Sequence, residues 1–159
     1  MNRFEVVIDP RQYVRWDATH GFQPVELRID GVPLLDLVRA VEERILAGEA
    51  DPPEAGRYLG LPATPELARD LMQPTPPAQF GFVIGPDHFC VGGTIVLGCA
   101  CGITECWFIV VTIEVGDETV RWSNIRQFHA ADWEYGLGPW VFERAAYERA
   151  LREPITLVT

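Results

Sequence analysis

The chain has 159 residues, a length typical of one domain, and 48% of them are hydrophobic, which is enough for a core without disulfides. Acidic residues outnumber basic ones by 23 to 13, so the net charge is −10. An acidic surface repels phosphates, which disfavours nucleic-acid binding and suits a basic protein partner. Solubility alone is the alternative reason for this acidity.

The N-terminal residues predict a strand rather than a secretion signal. No apolar stretch approaches the ~18 residues that a membrane helix needs. We therefore expect a cytoplasmic protein with no membrane segment. In that compartment its four cysteines would be reduced thiols or metal ligands, not disulfides.

The first half of the chain predicts two strands and two helices. The strands are Phe4–Asp9 and Val25–Asp30, and the second alternates apolar and charged residues before an Asp-Gly turn. A helix is predicted from Leu34 to Ala47, and a short one begins at Thr64 and ends before Pro74. The apolar face predicted for the longer helix consists of Leu34, Leu37, Val38, Val41 and Ile45.

A proline-rich stretch at residues 74–77 connects the two halves. It could mark a sub-boundary, but each half is short for a domain and the first half has few strands. We expect a single domain over residues 1–159.

The second half predicts mainly strands. They are Thr94–Leu97, then Trp107–Val115, which a turn joins to Thr119–Ser123 as a hairpin. A terminal helix is predicted over Pro139–Arg152. Strands and helices do not alternate regularly, so the prediction is an α+β fold, a mainly antiparallel sheet with helices packed on one face.

A short cysteine cluster is the strongest functional signal. Cys99, Cys101 and Cys106 have the spacing C-x-C-x4-C, and the glycine after Cys101 allows a sharp bend. Zinc takes four tetrahedral ligands, usually Cys or His. We predict His129 as the fourth ligand, with Cys90 and His88 as alternatives. The competing interpretation is that these are small core residues, as free cysteines often are.

Polar and aromatic side chains follow the predicted hairpin. Arg126, His129 and Asp132 could form a polar site in which Asp132 orients the imidazole, although a loop histidine bonded to nearby backbone is the simpler interpretation. Trp133, Tyr135 and Trp140 lie in a glycine-containing turn, and exposed aromatic residues there would suit a protein partner. The alternative is that these aromatic residues belong to the core.

Three segments carry a resemblance. They are Gly-Cys-Ala-Cys-Gly followed by Cys-Trp, Val-Arg-Trp followed by Arg-Gln-Phe-His, and the turn from Trp133 to Trp140. Together they resemble a pattern in a family of small bacterial proteins from GC-rich genomes with which no activity is associated. The resemblance implies no function, but it suggests that the cysteine loop, Arg126, His129 and the aromatic turn form one feature.

Two functions follow as hypotheses. The first is a small non-enzymatic interaction protein, immunity-like or accessory, that binds a protein partner and carries a structural zinc ion. The second is a thiol- or zinc-dependent hydrolase using Cys101 or Cys106 with His129. The chain contains no GxSxG, HExxH, dinucleotide-binding or P-loop pattern, so other catalytic classes have no support.

Overall fold

A computed structural model describes residues 1–15, 17–76, 89–90, 93–101 and 106–158, with only the backbone for 89–90. Its helices are α1 (Leu34–Leu46), α2 (Pro65–Leu71) and α3 (Arg144–Arg152). Its strands are β1 (Phe4–Ile8), β2 (Val14–Arg15), β3 (Gly21–Phe22), β4 (Glu26–Ile29), β5 (Val32–Pro33), β6 (Tyr58–Leu59), β7 (Phe89–Cys90), β8 (Gly93–Cys99), β9 (Ile109–Val115), β10 (Thr119–Gln127), β11 (Trp140–Glu143) and β12 (Ile155–Thr156).

The strands form two main sheets and one small one. The larger has the order β11-β10-β9-β8-β6, with β7 also pairing with β8. The second has the order β12-β1-β4-β5, and its only parallel pair among the described strands is β1 with β12. Strands β2 and β3 pair separately. This confirms the predicted α+β class with a mainly antiparallel sheet.

One hydrophobic core joins residues from both halves of the chain. Its centre is an aromatic cluster in which Phe4 of β1 lies 4.7 Å, ring centre to ring centre, from Tyr147 of α3 and 5.4 Å from Trp122 of β10. The indole of Trp122 donates a hydrogen bond to the Tyr147 hydroxyl at 3.1 Å. The described part of the proline-rich connection also lies on the sheet, since Ile113 N–H donates to the Thr75 hydroxyl at 2.8 Å. Pro77 lies outside the described residues.

The predicted hairpin is confirmed, although both strands have different limits. Val111, Ile113 and Val120 are almost fully buried, as the alternating pattern predicts. Ser123 pairs with Thr112, and an irregularity follows it before Arg126 pairs with Val110.

The terminal helix is shorter than predicted. Residues 140–143 form strand β11, where Trp140 pairs with Trp122 and Phe142 with Val120. Trp140 and Phe142 face the core in alternation, which is the period of a strand and not of a helix. In the sequence, Phe142 lies four residues before Ala146, a spacing that also fits one face of a helix. In the structure Ala146 is exposed in α3, so the two residues share no buried face.

Helix α1 buries a slightly different face from the predicted one. Leu34, Val38 and Val41 are buried as expected, whereas Leu37 and Ile45 are half-buried and pack against the core. The helix is rotated so that Glu42 and Leu46 point inward instead. The described residues contain no helix with both the length and the apolar character needed to cross a membrane.

This rotation gives a testable difference between two leucines on one helix. Leu34 is fully buried, so Leu34→Ala should lower the free energy of unfolding by about 2–5 kcal/mol through lost burial and a cavity. Leu37→Ala should cost clearly less, because this side chain is already partly in water. Urea denaturation of both variants gives the comparison, and equal losses would contradict the observed rotation.

Candidate metal centre

Three cysteine sulfurs converge at the connection between β8 and β9. The Sγ atoms of Cys99, Cys101 and Cys106 all lie within 4.8 Å of one another. Cys99 is buried, whereas Cys101 and Cys106 are exposed. A group of three thiols at this spacing could hold a metal ion, and the sequence predicted its members.

The sheet positions these residues. Cys99 is the last residue of β8 and pairs with Tyr58 of β6, and the following Ala100 N–H donates to the Arg57 carbonyl at 3.1 Å. On the other side the ladder of β8 and β9 ends at Leu97 and Ile109. Cys106 lies three residues before the start of β9, so the approach of β8 and β9 at these ends brings it near Cys99.

The electrostatics of the group favour a bound cation. The pKa of Cys106 is raised, chiefly by a hydrogen bond with the Cys101 thiol and then by repulsion from negative charge at Cys99. Three thiolates this close together repel one another in the absence of a positive ion. A divalent cation offsets that repulsion and stabilises the deprotonated thiols that a metal needs as ligands.

The observed spacing is close to the geometry that zinc requires. With Zn–S distances of about 2.3 Å, two sulfurs of a tetrahedral site are about 3.8 Å apart. Separations of at most 4.8 Å therefore need only a small contraction. Because neither Cys101 nor Cys106 lies in a strand, such a contraction breaks no ladder hydrogen bond.

The fourth ligand is the part of the predicted set that the structure does not bring together. Within the described part of the chain, the converging group holds only the three cysteines and does not include His129. His129 instead lies beside Trp107, with ring centres 6.2 Å apart and nearly parallel planes. Its backbone N–H donates to the Gln127 side-chain oxygen at 2.6 Å.

Of the alternative fourth ligands named from the sequence, Cys90 lies away from the cysteine group. The backbone of Cys90 pairs with Gly93, at the opposite end of β8 from Cys99. Six residues of strand separate those ends, a distance of about 20 Å. His88 lies outside the described residues.

An aromatic surface flanks the cysteine group. Trp107 follows Cys106 directly, and its ring contacts those of both His129 and Trp133, the latter with ring centres 5.8 Å apart. Trp107 and Trp133 are half-buried and His129 is exposed. These three residues, called the aromatic rim below, lie next to the cysteine group because Trp107 directly follows Cys106 in the chain.

The predicted partner-binding residues have mixed positions. Tyr135 and Trp140 are only 5% and 9% exposed, so the expectation that they offer a surface to a partner is wrong. Both belong to the core, as the alternative interpretation held. Asp132 is exposed, but among the described side chains no hydrogen bond joins it to the His129 imidazole.

Arg126 lies apart from the cysteine group. Its guanidinium Nη2 is 3.2 Å from the position that a Cβ on Gly93 would occupy, so it lies near the start of β8. Burial lowers the pKa of this side chain, and its Nη1 donates to the Asn124 carbonyl at 3.0 Å. The cysteine loop and Arg126 therefore do not form one feature.

The structure contains a buried polar cluster that the sequence did not predict. The carboxyl group of Glu42, fully buried in α1, accepts hydrogen bonds from the hydroxyls of Tyr58 and Tyr135 and from Gly56 N–H, at 2.5, 2.6 and 2.9 Å. Tyr58 is the strand partner of Cys99. The sequence contains one indication of this cluster. Glu42 lies four residues after Val38, so the two side chains share one face of the helix.

Comparisons with protein-family models, with curated proteins and with solved structures found no match.

Proposed function

We propose that this is a non-enzymatic interaction protein that binds one zinc ion through Cys99, Cys101 and Cys106. The observation that carries the proposal is the convergence of the three sulfurs within 4.8 Å at the end of β8. Thiolate sulfur is a preferred ligand of zinc, and a three-thiolate site favours it over hard cations such as magnesium and calcium. The bound ion would fix the β8–β9 connection to the sheet.

A water molecule or a group from a partner would occupy the fourth coordination position of the zinc ion. The described residues supply three ligands, two of them exposed, so the position opens toward solvent. A site with three protein ligands and an open position can exchange that fourth ligand.

The surface that we assign to a protein partner is the aromatic rim of Trp107, His129 and Trp133. Half-buried tryptophans offer a large contact area, and tryptophan is enriched at the centre of protein interfaces. The net charge of −10 supports a basic partner, because opposite charges speed encounter and suppress unsuitable partners.

The hydrolase alternative receives no comparable support. It required His129 within hydrogen-bond reach of Cys101 or Cys106. The His129 ring contacts Trp107, Phe108 and Phe128 instead, and its nitrogens are not part of the cysteine group.

Zinc binding should be measurable directly. Protein purified without chelator should contain about one zinc ion per chain by elemental analysis. In a competition titration with a chromophoric chelator, Cys101→Ser should lower the zinc affinity roughly 100-fold or more, because one of three thiolates is lost. Cys106→Ser should behave in the same way.

Cys90→Ser provides the matched control. Cys90 pairs with Gly93 at the other end of β8, so its replacement should leave the zinc affinity unchanged. Loss of zinc in this variant would show that the ligands are misassigned. A parent protein that binds no zinc with useful affinity would rule out the metal site itself.

A further inference from the structure

Cys101 and Cys106 share properties that Cys99 lacks. Both are exposed, whereas only 1% of Cys99 is accessible. Both lie in the connection after β8, outside any strand, while Cys99 is held in the ladder opposite Tyr58. The Cys101 and Cys106 sulfurs also lie within 4.8 Å of each other, and only four residues separate them in the chain.

We propose that Cys101 and Cys106 form an oxidisable dithiol, and that their conversion to a disulfide by a hydroperoxide empties the metal site. Release of zinc rests on the function proposed above, whereas formation of the disulfide does not require the metal. The site would thus bind zinc under reducing conditions and lose it on exposure to peroxide.

The reaction proceeds in two balanced steps. One of the two thiolates attacks the hydroperoxide, forming an S–O bond and breaking the O–O bond, and the departing alkoxide takes a proton and leaves as an alcohol. The second thiolate then attacks the sulfenic sulfur, forming the S–S bond, and hydroxide leaves as water after protonation. The two sulfurs lose two electrons in total, and the peroxide gains them.

The geometry selects this pair over the other pairings. A disulfide needs sulfurs about 2.05 Å apart, so the exposed thiols must approach from within 4.8 Å, and no strand pairing opposes this movement. Cys99 is shielded from the oxidant by burial and fixed by its pairing with Tyr58. Cys90 is about 20 Å away along β8 and cannot compete.

The disulfide and the metal exclude each other. Sulfur in a disulfide carries no thiolate charge, and the thiolate is the form that binds zinc. After oxidation only Cys99 remains of the three ligands. A single thiolate does not retain zinc against a competing chelator, so release should follow oxidation closely.

The experiment treats the full-length zinc-loaded protein with an organic hydroperoxide and follows zinc release with a chromophoric chelator. We expect release of zinc with loss of two free thiols per chain, and a peptide map that links Cys101 to Cys106. Dithiothreitol should restore both the thiols and the zinc binding. A disulfide containing Cys99 or Cys90 as the main product would overturn the proposal, as would oxidation to sulfinic acid without an intrachain link.

Variants separate this inference from the metal proposal. Cys99→Ser should weaken zinc binding and still form the Cys101–Cys106 disulfide, whereas Cys101→Ser should form none. Cys90→Ser should match the parent in both respects. If the metal-free parent forms the disulfide but no variant or parent binds zinc, the dithiol stands and the metal site fails. If zinc binds and peroxide leaves it bound with all thiols intact, the redox inference fails alone.

Discussion

Glu42→Leu should lower the free energy of unfolding by about 3–6 kcal/mol, because it removes the carboxylate that accepts hydrogen bonds from three buried donors. The leucine fills nearly the same space, so the loss reports hydrogen bonding rather than a cavity. These donors are the hydroxyls of Tyr58 and Tyr135 and the N–H of Gly56. Urea denaturation followed by circular dichroism measures the change.

Two further variants define what Glu42 contributes. Glu43→Leu is the matched control on the same helix, and because Glu43 is exposed its effect should stay within about 0.5 kcal/mol. Adding Tyr58→Phe and Tyr135→Phe to Glu42→Leu removes two of these donors and should recover part of the loss. If Glu42→Leu alone is as stable as the parent, the observed network is wrong.

Raising the pH above about 10 should destabilise the protein steeply. Tyr58, Tyr135 and Tyr147 are at most 5% exposed, and burial raises the pKa of each above the ordinary phenol value of 10.0. The hydrogen bond to Glu42 raises the pKa of Tyr58 and Tyr135 further. The folded chain therefore keeps three protons that the unfolded chain releases.

The sign of this effect follows from proton linkage. The contribution of the three phenols is fully present below pH 10 and is lost as the pH rises above it, by up to about 1.4 kcal/mol per pH unit for each tyrosine. Three tyrosines together give a slope of roughly 4 kcal/mol per pH unit. Urea denaturation at a series of alkaline pH values measures it.

Tyr147→Phe tests the assignment at one position. The substitution keeps the ring in the aromatic cluster but removes the hydroxyl that donates to the Leu71 carbonyl. It should lower stability at neutral pH and make the alkaline slope shallower by about one third. A slope equal to that of the parent would show that Tyr147 ionises alike in both states.

Elements were predicted correctly from the sequence where their hydrophobic pattern matches the face that the folded protein buries. In β9 and β10 the alternation of Val111, Ile113 and Val120 matches the face that the sheet buries. Helix α1 was placed within one residue at its end, but its rotation was not, because Glu42 faces inward against the expectation from its charge. Burial of Glu42 is stabilised by a hydrogen bond from Tyr135. Tyr135 lies 93 residues away in the chain, so this contact cannot be inferred from the local sequence pattern.

The candidate site was predicted to the extent that its ligands are neighbours in sequence. Cys99, Cys101 and Cys106 converge because one short connection carries all three. The prediction of His129 as the fourth ligand was wrong. His129 lies beside Trp107, which directly follows Cys106, but its ring packs on Trp107 and is not part of the cysteine group. Sequence spacing brought the residue near, whereas ring packing, which depends on the whole surface, determined where the imidazole points.

The position of β1 has a consequence during synthesis on the ribosome. Val7 pairs with Ile155 of β12, and α3 packs over the same strand, so β1 is translated long before either of these two partners. At ordinary translation rates that delay is roughly 10 to 30 s. Until then one edge of β1 and part of its apolar face lack their final partners, and an open strand edge pairs readily with other chains. A nascent chain stalled before α3 should therefore be far more prone to aggregation than the finished protein.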